Sequence, residues 1–465
     1  MIWTASPNQI AEKCQTNLEM PCFQRRLTSK NPNLDSSENK PLLSKLAVRK
    51  EAKILIRWRR SLTRTQQRKR RASPMTRVSS IFSQLLQLFP RGEFEWLVKQ
   101  HQAERHARGF TCWGQLVAML FCQLGRAHSL REICNGLAAS EGKLKHLGLA
   151  EAPRRSTLSY ANEHRPWELF RDVFQQLYGR CVDVARAKGE KKFKLPGKLL
   201  SMDSTMISVC TSVFDWARYT RRKGAVKLHL LLDHDGYLPQ FAVLTDGRKS
   251  DLAVGMKMHF EPGTTVVFDR GYYRFGWWLR LTRGHVFFVG RLKENADFLV
   301  VRDHPVPADT AIRKDQVVVA PSQKRSGPEA HLRRIELWDE SQNETVVFIT
   351  NHHGLDAVTV TEVYRERWQI ELFFKSLKQL LKIKTFVGTS RNAVQIQIWT
   401  ALIAMLVVRY LRLRSRFGWS LSNLVALLRQ QLFVHRPLWS WLDDPYHAPP
   451  GLGLQMLLWE EGNPA

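Results

Sequence analysis

Residues 264–291 read TTVVFDRGYYRFGWWLRLTRGHVFFVGR. A short run of β-branched and aromatic residues, Thr265–Phe268, meets a turn, a helix from about Tyr273 to Leu281 and a second apolar strand, His285–Leu292. A strand, a helix and a strand in this order form a crossover unit. Upstream lie three further strands, Leu199–Val209, Ala225–Leu232 and Tyr237–Leu244, bounded by turns such as Asp235-Gly236. A short helix from about Asp251 to Met258 separates the third from Thr265. The order begins as a meander and ends in crossovers, which predicts an α/β fold.

Beyond this core, residues 293–345 are polar, with apolar patches at 317–319 and 335–338, and read as an insertion carrying small strands. A strand at Thr345–Ile349 then precedes one long helix, about Val358–Leu381, and an apolar helix, about Gln395–Leu413, before a helical tail. On the other side, Val78 to about Ala187 has helical spacing throughout, as in Trp113, Leu116, Met119, Leu120 and Leu124. Ser129 opens one helix there, and Ser156 is expected to cap another. This pair reads equally as a packing bundle or as a helix-turn-helix with Arg154, Arg155 and the turn after Ser156 facing a duplex.

The chain of 465 residues carries 71 Lys and Arg against 42 Asp and Glu, a net charge of +29. Such a balance draws a chain to polyanions, so nucleic acid is the first partner to consider. Residues 1–74 hold +12 of that charge, with eight basic residues between Arg57 and Arg71, leaving +17 for residues 75–465. This leader reads as a disordered basic arm, as upstream sequence read through before a true start at Met75, or as a folded unit, which its lack of a helical period disfavours. Seven cysteines without a CxxC pair exclude a disulfide scaffold and argue against structural zinc. No secretory signal is visible, and the longest apolar run, Ile396–Val408, falls short of the roughly 20 residues of a membrane span. The expectation is a reduced, soluble, cytoplasmic protein without a membrane partner.

Three carboxylates stand where metal-assisted chemistry would use them. Asp203 is read as ending an apolar strand, and Asp269 follows Phe268 at the end of another. An Asp in such a place more often caps a turn. On the long helix, Tyr364, Arg367, Glu371 and Lys378 fall within about 60° of arc. Val363, Ile370, Phe373, Phe374, Leu377 and Leu381 form the adjoining apolar stripe that would dock it. Taken alone, Arg367 and Glu371 are an ordinary i, i+4 pair. Facing two aspartates, the same group suits phosphodiester chemistry, with carboxylates holding hard cations and bases holding phosphates.

The spacing Tyr364, Arg367, Glu371, Lys378 matches the Tyr-Arg-Glu-Lys signature of bacterial insertion-sequence transposases in the family named after insertion sequence four. Met202-Asp203-Ser204-Thr205, Val267-Phe268-Asp269-Arg270-Gly271-Tyr272 and Arg367-Trp368-Gln369-Ile370-Glu371 resemble that family too, and the likeness spans about Thr76 to Arg412. It implies a ribonuclease-H-like mixed-sheet core, residues 191–390, with a β-rich insertion at about 293–345. A helical end-binding domain, 75–190, would precede it and a helical region, 391–465, would follow. By the same resemblance Asp203, Asp269 and Glu371 would be catalytic and would hold two Mg²⁺ ions, with Mn²⁺ a substitute. Tyr364, Arg367 and Lys378 would contact transposon-end phosphates, while Arg270 would either touch DNA or neutralise the acidic cluster.

The activity implied is cut-and-paste transposition by a homodimer acting on transposon ends and target DNA in the bacterial nucleoid, in some members through a hairpin. Relatives use a Trp of the insertion to stabilise a flipped base; here Trp338 is a candidate for that or for plain strand packing. His229 reads as a satisfied sheet histidine rather than a ligand. Two rivals stay open: another ribonuclease-H-like nuclease such as a junction resolvase, and a catalytically silent DNA-binding descendant.

Overall fold

The computed structural model describes residues 79–446, apart from 106, 108, 141, 190–191, 210–223, 294–295, 324–326 and 382–385. The basic leader, Met75, Cys14, Cys22 and Cys210 lie outside the described residues.

Six helices come first: α1 (Ile81–Leu86), α2 (Arg91–Gln100), α3 (Cys112–Leu124), α4 (Leu130–Ala138), α5 (Arg155–His164) and α6 (Glu168–Ala187). Side chains cap several of them, with Ser83 N donating to Ser80 Oγ, Gly114 N to Thr111 Oγ1 and Glu132 N to Ser129 Oγ. Ser129 is thus a cap as expected. Ser156 is not: the extended residue before α5 is Arg154, with ψ 147° and no side-chain cap, and Ser156 lies inside the first turn. Pro153 fixes an extended entry, so the helix starts ahead of the serine. Arg154, Arg155 and Ser156 are exposed.

The sheet follows: β1 (Leu199–Val209), β2 (Gly224–Asp233), β3 (Leu238–Asp246), helix α7 (Asp251–Gly255), β4 (Thr265–Phe268), helix α8 (Phe275–Arg283) and β5 (Phe287–Arg291). Then come β6 (Leu299–Asp303), β7 (Ile312–Val319), β8 (Leu332–Asp339) and β9 (Glu344–Thr350). Helices α9 (Ala357–Arg365), α10 (Trp368–Leu380), α11 (Arg391–Arg414), α12 (Leu421–Gln431) and α13 (Leu438–Asp443) complete the described chain.

The strands form one sheet in the order β3-β2-β1-β4-β5-β9-β8-β7-β6. β2 pairs antiparallel with both β1 and β3, while β4 joins β1, and β5 joins β4, in parallel. That half is the mixed ribonuclease-H-like sheet expected, and the insertion extends it, because β9 pairs antiparallel with β5 and carries β8, β7 and β6 outward.

Alternation along the strands sorts side chains to two faces. Met202, Val266, Phe268 and Phe288 turn toward α7 and α8, where Trp277 and Trp278 are buried. Gly290 leaves room for this packing: a Cβ there would meet the Phe268 ring at 2.6 Å. The other face carries α9 over Val267 and Val289, and α10 and α11 over β1–β3 in a core shared with the N-terminal helices. The docking stripe on α9 and α10 is buried as expected, from Val363 at 0% to Phe374 at 5%. By length and composition α11 could cross a membrane, being longer than the apolar run Ile396–Val408 read from the sequence. In the fold 89% of its most apolar window is buried, as befits a core helix.

Candidate active site

Register brings the two aspartates level. β1 and β4 run in parallel with Ser201 opposite Val267, so Asp203 and Asp269, each two residues on, stand side by side. Met202 and Phe268 face α8, which turns both aspartates toward α10. Asp269 follows β4 directly, and its Oδ1 accepts a hydrogen bond from Gly271 N at 2.9 Å. Asp203, by contrast, does not end a strand: β1 runs on to Val209, paired with β2 along its whole length. The β-branched residues Thr205, Ile207 and Val209 keep it extended.

The expected single helix over 358–381 is two. Arg367 N donates to Tyr364 O, Gln369 N to Glu366 O and Ile370 N to Arg367 O, all three-residue steps that tighten the turn between α9 and α10. Arg367 sits at this joint and bridges the carboxylates. Its Nη2 donates to Glu371 Oε1 at 2.6 Å, and its Nη1 stands 3.5 Å from Asp203 Oδ2. The same guanidinium lies 5.8 Å from the Tyr364 ring centroid, and that ring packs on Phe348. Further along α10, Lys378 Nζ donates to Thr205 Oγ1 of β1 at 2.5 Å. Arg367 and Lys378 thus reach β1 directly and Glu371 through Arg367, while Tyr364 packs against β9. Arg270 lies outside this network: it is exposed and makes no ion pair among the described residues.

Burial pushes the Asp203 carboxyl up to about 6; the Asp269 and Glu371 charges add to this, while Ser204 N–H and Arg367 oppose it. Such a concentration of negative charge in hard carboxylate oxygens fits a divalent cation of the Mg²⁺ type. Among the described residues no three His, Cys, Asp or Glu side chains close on one point, and Arg367 stands between Asp203 and Glu371. The donors are matched to a cation, with an arginine neutralising two of them.

Two further carboxylates matter here, and the sequence did not single them out. Asp251, the first residue of α7, accepts from Lys227 Nζ at 2.8 Å, and its Oδ1 lies 3.2 Å from His229 Nδ1. Burial works against its charge, yet His229, Lys227 and Ser204 beside it hold its carboxyl far below the usual range. His229, 1% exposed, meets Thr245 Oγ1 at 2.9 Å through Nε2, while its Nδ1 has Asp251 nearby without a hydrogen bond; it packs in the sheet beside Asp251. Lys227 and His229, two apart on β2, were the available signal.

Glu366, beside Arg367, points the other way. It is 7% exposed, pairs with Lys192, accepts from Tyr237 Oη at 3.3 Å and lies 3.7 Å from His234 Nδ1. The His234 imidazole, followed by Lys192, holds its carboxyl at about 2, against 4.5 ordinarily. A depressed carboxylate contributes stability that is complete above pH 4.5 and lost as the pH falls toward 2. Glu366→Gln should therefore be less stable than wild type at neutral pH. In urea titrations the gap should shrink by on the order of 2 kcal/mol by about pH 3. A gap unchanged with pH would remove Glu366 from this role.

On the insertion, Trp338 is half-buried, with the Arg313 guanidinium 5.7 Å from its ring centroid.

Comparison with known proteins adds to this geometry. Residues 194–407 match the family model described as Transposase DDE domain, and residues 77–150 match a domain of unknown function, DUF4372. The protein y4zB of Sinorhizobium fredii, assigned as a transposase, is 30% identical over 291 residues, which is 62% of this chain and 80% of the relative. The chain belongs to the insertion-sequence DDE transposases. The transposase assigned to insertion sequence element IS5377 of Geobacillus stearothermophilus is 26% identical over 55% of this chain and 67% of its own. A cryo-EM structure of the piggyBac transposase synaptic complex with hairpin DNA aligns over 84% of this chain and 87% of its own, at a TM-score of 0.39 and 10% identity. By its family model and its relatives the protein is a DNA transposase, an enzyme of a family that generally uses divalent metal ions.

Proposed function

We propose that this transposase cuts and joins DNA at the terminal inverted repeats of its own element by a cut-and-paste route, with Asp203, Asp269 and Glu371 as its catalytic carboxylates. The observation that carries this reading is their alignment: two aspartates level on adjacent parallel strands, and a glutamate on α10 joined to Asp203 across the Arg367 guanidinium. The three would hold two Mg²⁺ ions, with Mn²⁺ a substitute. Bound there, the cations would activate the attacking oxygen and stabilise the leaving one at the scissile phosphodiester.

The chain's own groups do the positioning. Lys378, tied to β1 through Thr205, and Arg367, on the same edge, offer cations to the phosphates on either side of the carboxylates. Tyr364 supports Arg367 from below, and exposed Arg270 extends the basic rim beside Asp269. When a phosphate draws Arg367 away, Glu371 is released toward the aspartates. The signature spacing supports placement in the family named after insertion sequence four.

Residues 75–190 would bind the end, 191–390 would catalyse and 391–465 would form the helical C-terminal region, with one copy of the chain at each end in a homodimer. The relatives support a cytoplasmic protein, which would work on the nucleoid. Purified protein mixed with a fragment carrying the element's end and Mg²⁺ should release 3′-OH strand ends at the repeat. Failure to cut with either Mg²⁺ or Mn²⁺ would overturn the catalytic assignment. A single copy per synapsed pair of ends, by light scattering, would overturn the dimer.

A further inference from the structure

A cavity of about 940 Å³ opens at the end of the sheet remote from the carboxylates. Leu199 and Thr264, where β1 and β4 begin, form its floor, about 13 Å back along β1 from Asp203. That volume falls within the range of small-molecule sites.

Its lining is basic on balance, with six Lys and Arg against Asp235, Glu261 and Glu366. Lys192 is paired with Glu366, and Lys198 lies 3.7 Å from Asp233. Arg186, Lys188, Arg409 and Arg412 have no carboxylate within ion-pair distance among the described residues. Arg409 is the decisive one. It projects from α11 into the cavity wall, is only 8% exposed, and has a buried Nε without a hydrogen-bond partner. Burial, and then Arg412, pull its guanidinium down to about 10. A buried guanidinium without a counter-charge is costly, and an anion in the cavity would relieve that cost.

The lining also includes an aromatic ring. Tyr237 lines the cavity with φ at 55°, a left-handed conformation that is unfavourable for a bulky side chain. Its hydroxyl is tied to Glu366, which holds the ring in place. An aromatic ring and two arginines without a carboxylate partner among the described residues, lining one cavity, suit a ligand with one flat end and one anionic end.

We propose that this cavity binds a nucleotide, its phosphate held by Arg409 and Arg412 and its base set against Tyr237. The nucleotide comes either from the free pool or from the 5′-phosphorylated end of a DNA strand. The site is separate from the carboxylate face: at the α9–α10 joint Glu366 looks into the cavity, while Arg367 looks toward Asp203.

Isothermal titration of the full-length protein with ATP, pyrophosphate and a short 5′-phosphorylated single strand, without divalent metal, tests this. Saturable binding of ATP, weaker by about tenfold or more in both Arg409→Met and Arg412→Ala, is the expected result. Arg412 is exposed, so its variant leaves the fold intact. Lys378→Ala, on the catalytic side, should bind ATP as wild type does. ATP binding without strand binding assigns the free nucleotide, and tighter strand binding assigns the strand end. Absence of saturable ATP and strand binding, affinity equal to wild type in both arginine variants, or loss of ATP binding in Lys378→Ala would each overturn the proposal.

Discussion

Glu371→Gln is expected to leave binding of the element's ends intact while lowering strand cleavage by about a thousandfold or more. The side chain is 34% exposed and lies one turn into α10, so an isosteric amide leaves the helix undisturbed. Its remaining oxygen can still accept the Arg367 Nη2 bond that now spans 2.6 Å. What disappears is one negative charge from a group of three, and with it one hard ligand for a divalent cation. Asp203→Asn should behave alike, since the amide oxygen can keep the 2.7 Å bond from Ser204 N. Gel shifts on a labelled end fragment should therefore match wild type, while cleavage of the same fragment in Mg²⁺ vanishes. Cleavage that persists in either purified variant would sink the assignment of these carboxylates. Binding lost together with cleavage would instead make Glu371 part of the DNA grip.

That expectation rests on residues of very unequal legibility. β4 could be read to the residue, because Thr265–Phe268 is a pure β-branched and aromatic run closed by Asp269 and a glycine turn. The docking face of α9 and α10 was equally plain, since burial of Ile370, Phe373 and Leu377 follows the helical period. The strand Leu199–Val209 was bounded correctly, yet the apolar run that closes at Met202 made Asp203 read as if it ended there. A carboxylate inside a strand looks like a stop until pairing with β2, from Leu200 opposite Asp233 to Val209 opposite Gly224, is known.

The joint at Glu366–Arg367 was hidden for a different reason. Both residues keep helical dihedrals, so only the shortened hydrogen bonds mark the break, and periodicity cannot register them. Glu366 itself, between Arg365 and Arg367, reads as a solvated charge; its burial is decided by Lys192, His234 and Tyr237, which lie more than a hundred residues away. The buried Arg409 is hidden similarly, as one basic residue near the end of an apolar helix.

The insertion supplies the second large effect. Asp315 on β7 and Arg333 on β8 are 3% and 6% exposed and form a two-pronged pair, Nε to Oδ1 at 2.8 Å and Nη2 to Oδ2 at 2.6 Å. Arg333 Nη1 also donates to the carbonyl of Leu355, just ahead of Asp356, whose side chain caps α9. The pair therefore fastens the inserted strands to the entry of the helix that leads to Arg367. Asp315→Ala strands a buried guanidinium and should cost about 3–5 kcal/mol in urea unfolding. The double change Asp315→Leu with Arg333→Met removes both charges and should recover most of that loss. It does not restore the bond to Leu355. If that tether positions α9, cleavage by the double variant will remain below wild type although its stability has returned. Full recovery of cleavage would reduce the pair to a stabilising contact within the sheet. An Asp315→Ala variant as stable as wild type would show that solvent reaches Arg333 and that the fastening is elsewhere.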